Sequence, residues 1–166
     1  MLNLDPKLTL NQKTYYGLGI VAAALTVLGG LCLMFGTYAA LLYNIASLLT
    51  GGMLLFLAAT QREDKLRRVC FLLATLCVVL GMIPGVVGKI AGALAWPLFA
   101  VPYFKQTEPT AVLHTASYLV LLCGLAQLVG SFLPMTRMIA ACVSIGIAAA
   151  QGMLVWILFH DKGTIA

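Results

Sequence analysis

The sequence predicts an all-α, polytopic membrane helix bundle, and three observations carry that prediction. From Thr14 to Gln61 there is no Asp, Glu, Lys, Arg or His, and two similar apolar blocks follow, separated by short charged segments. Only 9% of residues are charged and mean hydropathy is +1.03, far from the average soluble domain. The first block has 48 residues. As helix it rises about 72 Å at roughly 1.5 Å per residue, twice what a bilayer core needs, so it folds back as two spans. The chain reads as one integral membrane domain over residues 1–166, with no room for a soluble domain.

The N-terminal segment MLNLDPKLTLNQKT runs into the apolar block without a small-residue cleavage pattern, so a cleaved signal peptide is not expected. The first span is placed at Tyr16 to Phe35 and the second at Ala39 to Thr60, joined by a tight uncharged turn at Gly36, Thr37 and Tyr38. QREDKLRR, residues 61–68, reads as a cytoplasmic loop. A third span starts at Leu66 or Val69 and ends at Met82, before the break that Pro84 and Gly85 supply.

Val86 to Phe104 admits two readings. In one it is a fourth span, with Lys89 snorkelling to the far surface, Pro97 kinking the helix and Tyr103 anchoring at the interface. In the other it is a re-entrant or surface segment. Lys105, Glu108 and Pro109 form a loop on either view. An apolar run from Thr115 to Thr136, a turn at Pro134 to Arg137 and a last run from Met138 to Phe159 complete the chain.

Basic residues choose between the schemes. Six spans put Lys7, Lys13, Arg62, Lys65, Arg67, Arg68, Lys105 and Lys162 inside and only Lys89 and Arg137 outside. Five spans move Lys105 and Lys162 out and Arg137 in, a weaker asymmetry. Both place the N-terminus in the cytoplasm, and the stronger bias favours six spans as three hairpins over five spans plus a re-entrant segment. With small-residue-rich spans, termini inside and almost no extramembrane mass, this layout resembles that of the HdeD family of bacterial membrane proteins. That resemblance implies an inner (plasma) membrane location and a link to acid-stress resistance.

Sequence motifs point away from catalysis. No Asp or Glu lies inside an apolar block, and HExxH, GxSxG and a P-loop are absent. Cys32, Cys70, Cys77, Cys123 and Cys142 read as buried small hydrophobes, with no CxxC; Cys70 and Cys77 are two turns apart, too far to bond. No cofactor or metal is implied. The basic residues are explained by topology, so nucleic acid is not an expected partner.

The few polar residues within the spans are the functional candidates, because a polar side chain in lipid is costly without a partner. Asn44, Ser47 and Gly51 share one face of the second span at i, i+3 and i+7. Gln127 and Gln151 sit mid-span and are placed to exchange amide hydrogen bonds. Lys89 is read as snorkelling, with an anion-binding or gating role as the sharper reading; His114 and His160 are read as solvated. Ala140, Ser144, Ala148 and Gly152 repeat every four residues, a small-residue stripe for close helix packing, and Gly88 with Gly92 gives a shorter one.

Two functions follow. The first is a non-enzymatic stress-related or accessory protein acting through helix packing, with the bilayer, a second copy or another membrane protein as partner. The second is a facilitator, channel or ligand-capturing subunit for a small neutral or hydrophobic solute, contacted by Asn44, Ser47, Gln127, Ser144, Gln151 and Lys89.

Overall fold

The computed structural model describes residues 12–37, 39–60, 64–104, 111–133 and 136–160, and among them every regular element is an α-helix. The helices are α1 (Gln12–Met34), α2 (Ala40–Thr60), α3 (Lys65–Gly81), α4 (Val86–Phe104), α5 (Ala111–Phe132) and α6 (Arg137–His160).

Local chemistry sets their ends. After α1, Gly36 takes φ +83°, Thr37 N–H donates to Cys32 C=O at 2.9 Å and Gly36 N–H to Leu33 C=O at 3.1 Å. This is a Schellman cap, which uses the left-handed conformation glycine adopts most easily. Asp64 caps α3, its Oδ1 accepting from the backbone N–H of Leu66 and Arg67 at 3.0 and 3.2 Å, while Oδ2 pairs with Arg67 Nε at 3.2 Å. The end of the charged segment is therefore the first turn of a helix. Thr136 Oγ1 accepts from Ile139 N–H at 3.4 Å to open α6.

Each helix packs against its neighbours in sequence, and α6 packs against α1, so the six form a closed ring. Neighbours are antiparallel: Gly19 faces Met53 and Val155, while Gly29 meets Tyr43 and Gly30 meets Ile145. Three hairpins result. One end of the ring, the turn face, carries residues 35–37, 82–85, the end of α5 and the start of α6. The other, the terminal face, carries the start of α1 and the end of α6.

Five helices are long and apolar enough to cross a membrane. The exception is α3, whose 17 residues rise about 26 Å and begin with Lys65, Arg67 and Arg68. Val86–Phe104 is one unbroken helix despite Pro97 and Pro102, so the re-entrant alternative is not what forms. Gly124 of α5 makes room for the Pro97 ring, since a Cβ there would stand 2.5 Å from Pro97 Cγ. Leu41, Val87 and Phe35 point outward, 71%, 67% and 87% exposed, as lipid-facing side chains do. The chain is thus a multi-pass helical membrane bundle.

Candidate functional site

The inward stripes of the helices change character halfway along. On α4 the stripe reads Gly88, Gly92, Trp96, Phe99, Tyr103 from the turn face to the terminal face. On α2, Asn44, Ser47 and Thr50 give way to Met53, Leu54 and Leu57; on α6, Ser144, Ala148 and Gln151 give way to Leu154, Val155 and Leu158. Small or polar residues occupy the turn half and large apolar residues the terminal half. One half is therefore filled and the other is hollow.

In the filled half Met53, Leu57, Phe71, Phe99, Leu154 and Tyr103 are at most 1% exposed. Phe99 stacks edge-on against Trp96 (centroids 5.5 Å) and Tyr103 (5.6 Å) and lies 5.8 Å from Phe71. Tyr16 and Tyr103 share a hydrogen bond of 2.9 Å that ties α1 to α4, opposite positions in the ring, across its centre. Tyr103 is thus a core residue rather than the expected interfacial anchor. The cause is its spacing, i+4 from Phe99 and i+7 from Trp96, which puts all three on one face.

The hollow half holds a cavity of about 500 Å³ to which all six helices contribute. Helix α2 supplies Tyr43, Asn44, Ser47 and Thr50; α5 supplies Gln127; α6 supplies Ser144 and Gln151; α1 supplies Ala22, Ala23 and Thr26. Val78 and Gly81 of α3, the 82–85 turn, and Gly88, Lys89, Gly92 and Trp96 of α4 complete the wall, with exposed Pro84, Gly85 and Lys89 marking the mouth. Trp96 joins the cavity to the aromatic plug.

All six polar candidates, Asn44, Ser47, Gln127, Ser144, Gln151 and Lys89, therefore line one space. Their hydrogen bonding leaves part of it unsatisfied. Tyr43 and Ser144 share a bond of 3.2 Å between hydroxyls, while Thr26 and Thr50 donate to the Ala22 and Ala46 carbonyls at 2.9 Å, leaving only acceptor capacity for the cavity. Gln151 is 6% exposed, yet its amide makes no hydrogen bond among the described residues. The expected Gln127–Gln151 amide pair does not form.

The packing candidates divide. Ala148 is fully buried, Gly152 lies against Ala23 of α1 and Ser144 bonds Tyr43 of α2, so three of the four α6 stripe residues are engaged within the chain. Gly88 and Gly92 serve the α3–α4 contact: a Cβ on Gly88 would collide with the Ile83 carbonyl oxygen, and one on Gly81 would stand 3.1 Å from Gly92 Cα. Lys89 sits in the first turn of α4, and Gly85, with φ +112°, makes the tight connection.

Other expectations need correction. Among the cysteines only Cys70 is buried; Cys32, Cys77 and Cys123 are half-buried and Cys142 is exposed, which costs little where the surroundings are lipid. Half-buried His114 packs against the rings of Phe104 and Tyr118, centroids 5.9 and 5.6 Å away, rather than standing free in solvent. Exposed His160 rests on Trp156 at 4.1 Å. Tyr38, Lys105, Glu108, Pro109, Pro134 and Asp161 lie outside the described residues.

The sequence reading missed Tyr43, Thr50 and Trp96. The signal was present for the first two, because residues 43, 47 and 50 continue the Asn44–Ser47 face at i, i+4 and i+7. No family model, curated protein or solved structure matches this chain.

Proposed function

We propose that this bundle is a solute-handling membrane protein that takes a small polar molecule into its cavity from the turn face. It works as a facilitator or as the ligand-capturing subunit of a transporter. One observation carries the reading: the scarce intramembrane polar side chains of α2, α5 and α6 converge on one open cavity. Its volume suits a small ligand, and a polar lining in hydrocarbon is costly unless water or solute satisfies it. The packed terminal half makes this a one-sided vestibule, so passage to the other side needs the aromatic plug to rearrange.

The positive-inside count supports an inner (plasma) membrane orientation with the terminal face cytoplasmic and the cavity facing out. The accessory reading relied on the α6 stripe as a free interaction surface. Engagement of Ser144, Ala148 and Gly152 within the chain moves the weight to the cavity.

The test uses purified protein in proteoliposomes equilibrated with a ¹³C-labelled extract of small metabolites, with retained compounds identified by mass spectrometry. Wild type should retain a small polar compound, and the double variant Gln127→Leu, Gln151→Leu should fold and elute normally but retain none. Equal retention by both proteins contradicts the reading.

A further inference from the structure

Among the described residues the cavity wall has one formal charge: Lys89 stands at the mouth, and no Asp or Glu contributes to the lining. Arg137 lies at the turn face too, its Nη1 3.6 Å from where a Cβ on Gly36 would stand, while Asp64, the one acid among the described residues, caps α3 at the other face. A cleft of one sign between low-dielectric walls focuses its field and enriches the opposite ion at its mouth.

Deeper in, the chemistry is neutral. Ser47 and Gln151 offer donors, with exposed Asn44 nearer the rim, and the Gln151 amide is almost wholly buried without a partner among the described residues. Thr50 offers an acceptor, and Trp96 offers an apolar surface at the junction with the plug. The wall thus presents a cationic rim, a band of uncharged hydrogen-bonding groups and an aromatic floor.

Building on the solute-handling reading, we infer that the ligand is a small organic monoanion of the carboxylate class, its charged group at Lys89 and its neutral body against Gln151 and Trp96. A dianion would leave a charge uncompensated in a cavity with a single cation, and a cation would meet a wall without a counter-charge. Lysine suits this role as a mobile point charge that reaches from a helix to the rim.

The experiment titrates wild-type protein in nanodiscs with short monocarboxylates, acetate to hexanoate and lactate, each against its own primary amide. Trp96 fluorescence gives the readout, in a Trp156→Phe background that removes the lipid-facing indole. The best carboxylate should bind at least tenfold more tightly than its amide. Lys89→Met should erase that difference, while Gln151→Leu should weaken acid and amide alike. An amide that binds as tightly as its acid, with Gln151→Leu still weakening it, overturns the monoanion and leaves the solute site standing. If no compound gives a response that Gln151→Leu removes, both the monoanion and the solute site are overturned.

Discussion

The two halves of this bundle are built from the same six helices, yet one is sealed and the other is open. The backbone arrangement is continuous through both, so side-chain size and polarity on the inward stripes make the difference. Along α4 the change from small residues to large, Gly92 to Phe99, occurs within about two turns of helix. In a membrane this division has a particular meaning. Lipid is as apolar as a protein core, so the filled half is held by van der Waals packing and a few hydrogen bonds, with little hydrophobic drive between helices. The hollow half forgoes that packing and places polar groups at depth.

Substitutions can break or sharpen this contrast. The largest effect belongs to the plug: Phe99→Ala removes the ring that touches Phe71, Trp96 and Tyr103, and should cost about 3 kcal/mol or more. Thermal unfolding in a lipid-like detergent would read it as the largest drop of the series. Next comes Gly88→Leu, where the new Cβ meets the Ile83 carbonyl and the α3–α4 turn must shift, at a cost of about 2 kcal/mol by the same assay.

Tyr103→Phe keeps the ring and deletes one buried hydrogen bond to Tyr16, so its cost should be roughly 0.6 kcal/mol and no more than about 1.7. Smallest of all is Gln151→Leu. It removes a buried amide that has no protein partner to orphan, so stability should stay within about 0.5 kcal/mol of wild type. Ligand retention should nevertheless be lost. A large destabilisation by Gln151→Leu would mean that the amide is structural and that the halves differ less than their packing implies.

The fold was largely legible because uncharged length, turn residues and basic loops report directly on membrane crossing. Gly36 and Pro84-Gly85 marked two of the turns, and the candidate polar residues were found by type alone. Their convergence was not legible. A soluble helix announces its inward face by polarity, but here the outer face is apolar as well, so Leu41 and Leu57 look alike in sequence while one faces outward and the other is buried. Tyr103 was misplaced for a related reason: an aromatic residue beside a charged loop is the usual mark of the interface, and only its spacing from Trp96 and Phe99 reveals the core. Closure of the ring by α1 and α6 joins the two ends of the sequence, and no local pattern announces it.

The most direct test of the hollow half is accessibility to a membrane-impermeant thiol reagent applied from the side of the turn face. Single cysteines would be introduced at Ser47, Ser144, Leu57 and Leu154 in a background with the five native cysteines replaced. Ser47→Cys and Ser144→Cys should be labelled through the cavity, while Leu57→Cys and Leu154→Cys beneath the plug should not react. Protection at Ser47 and Ser144, or equal labelling at all four positions, would contradict a bundle that is open at one end and sealed at the other.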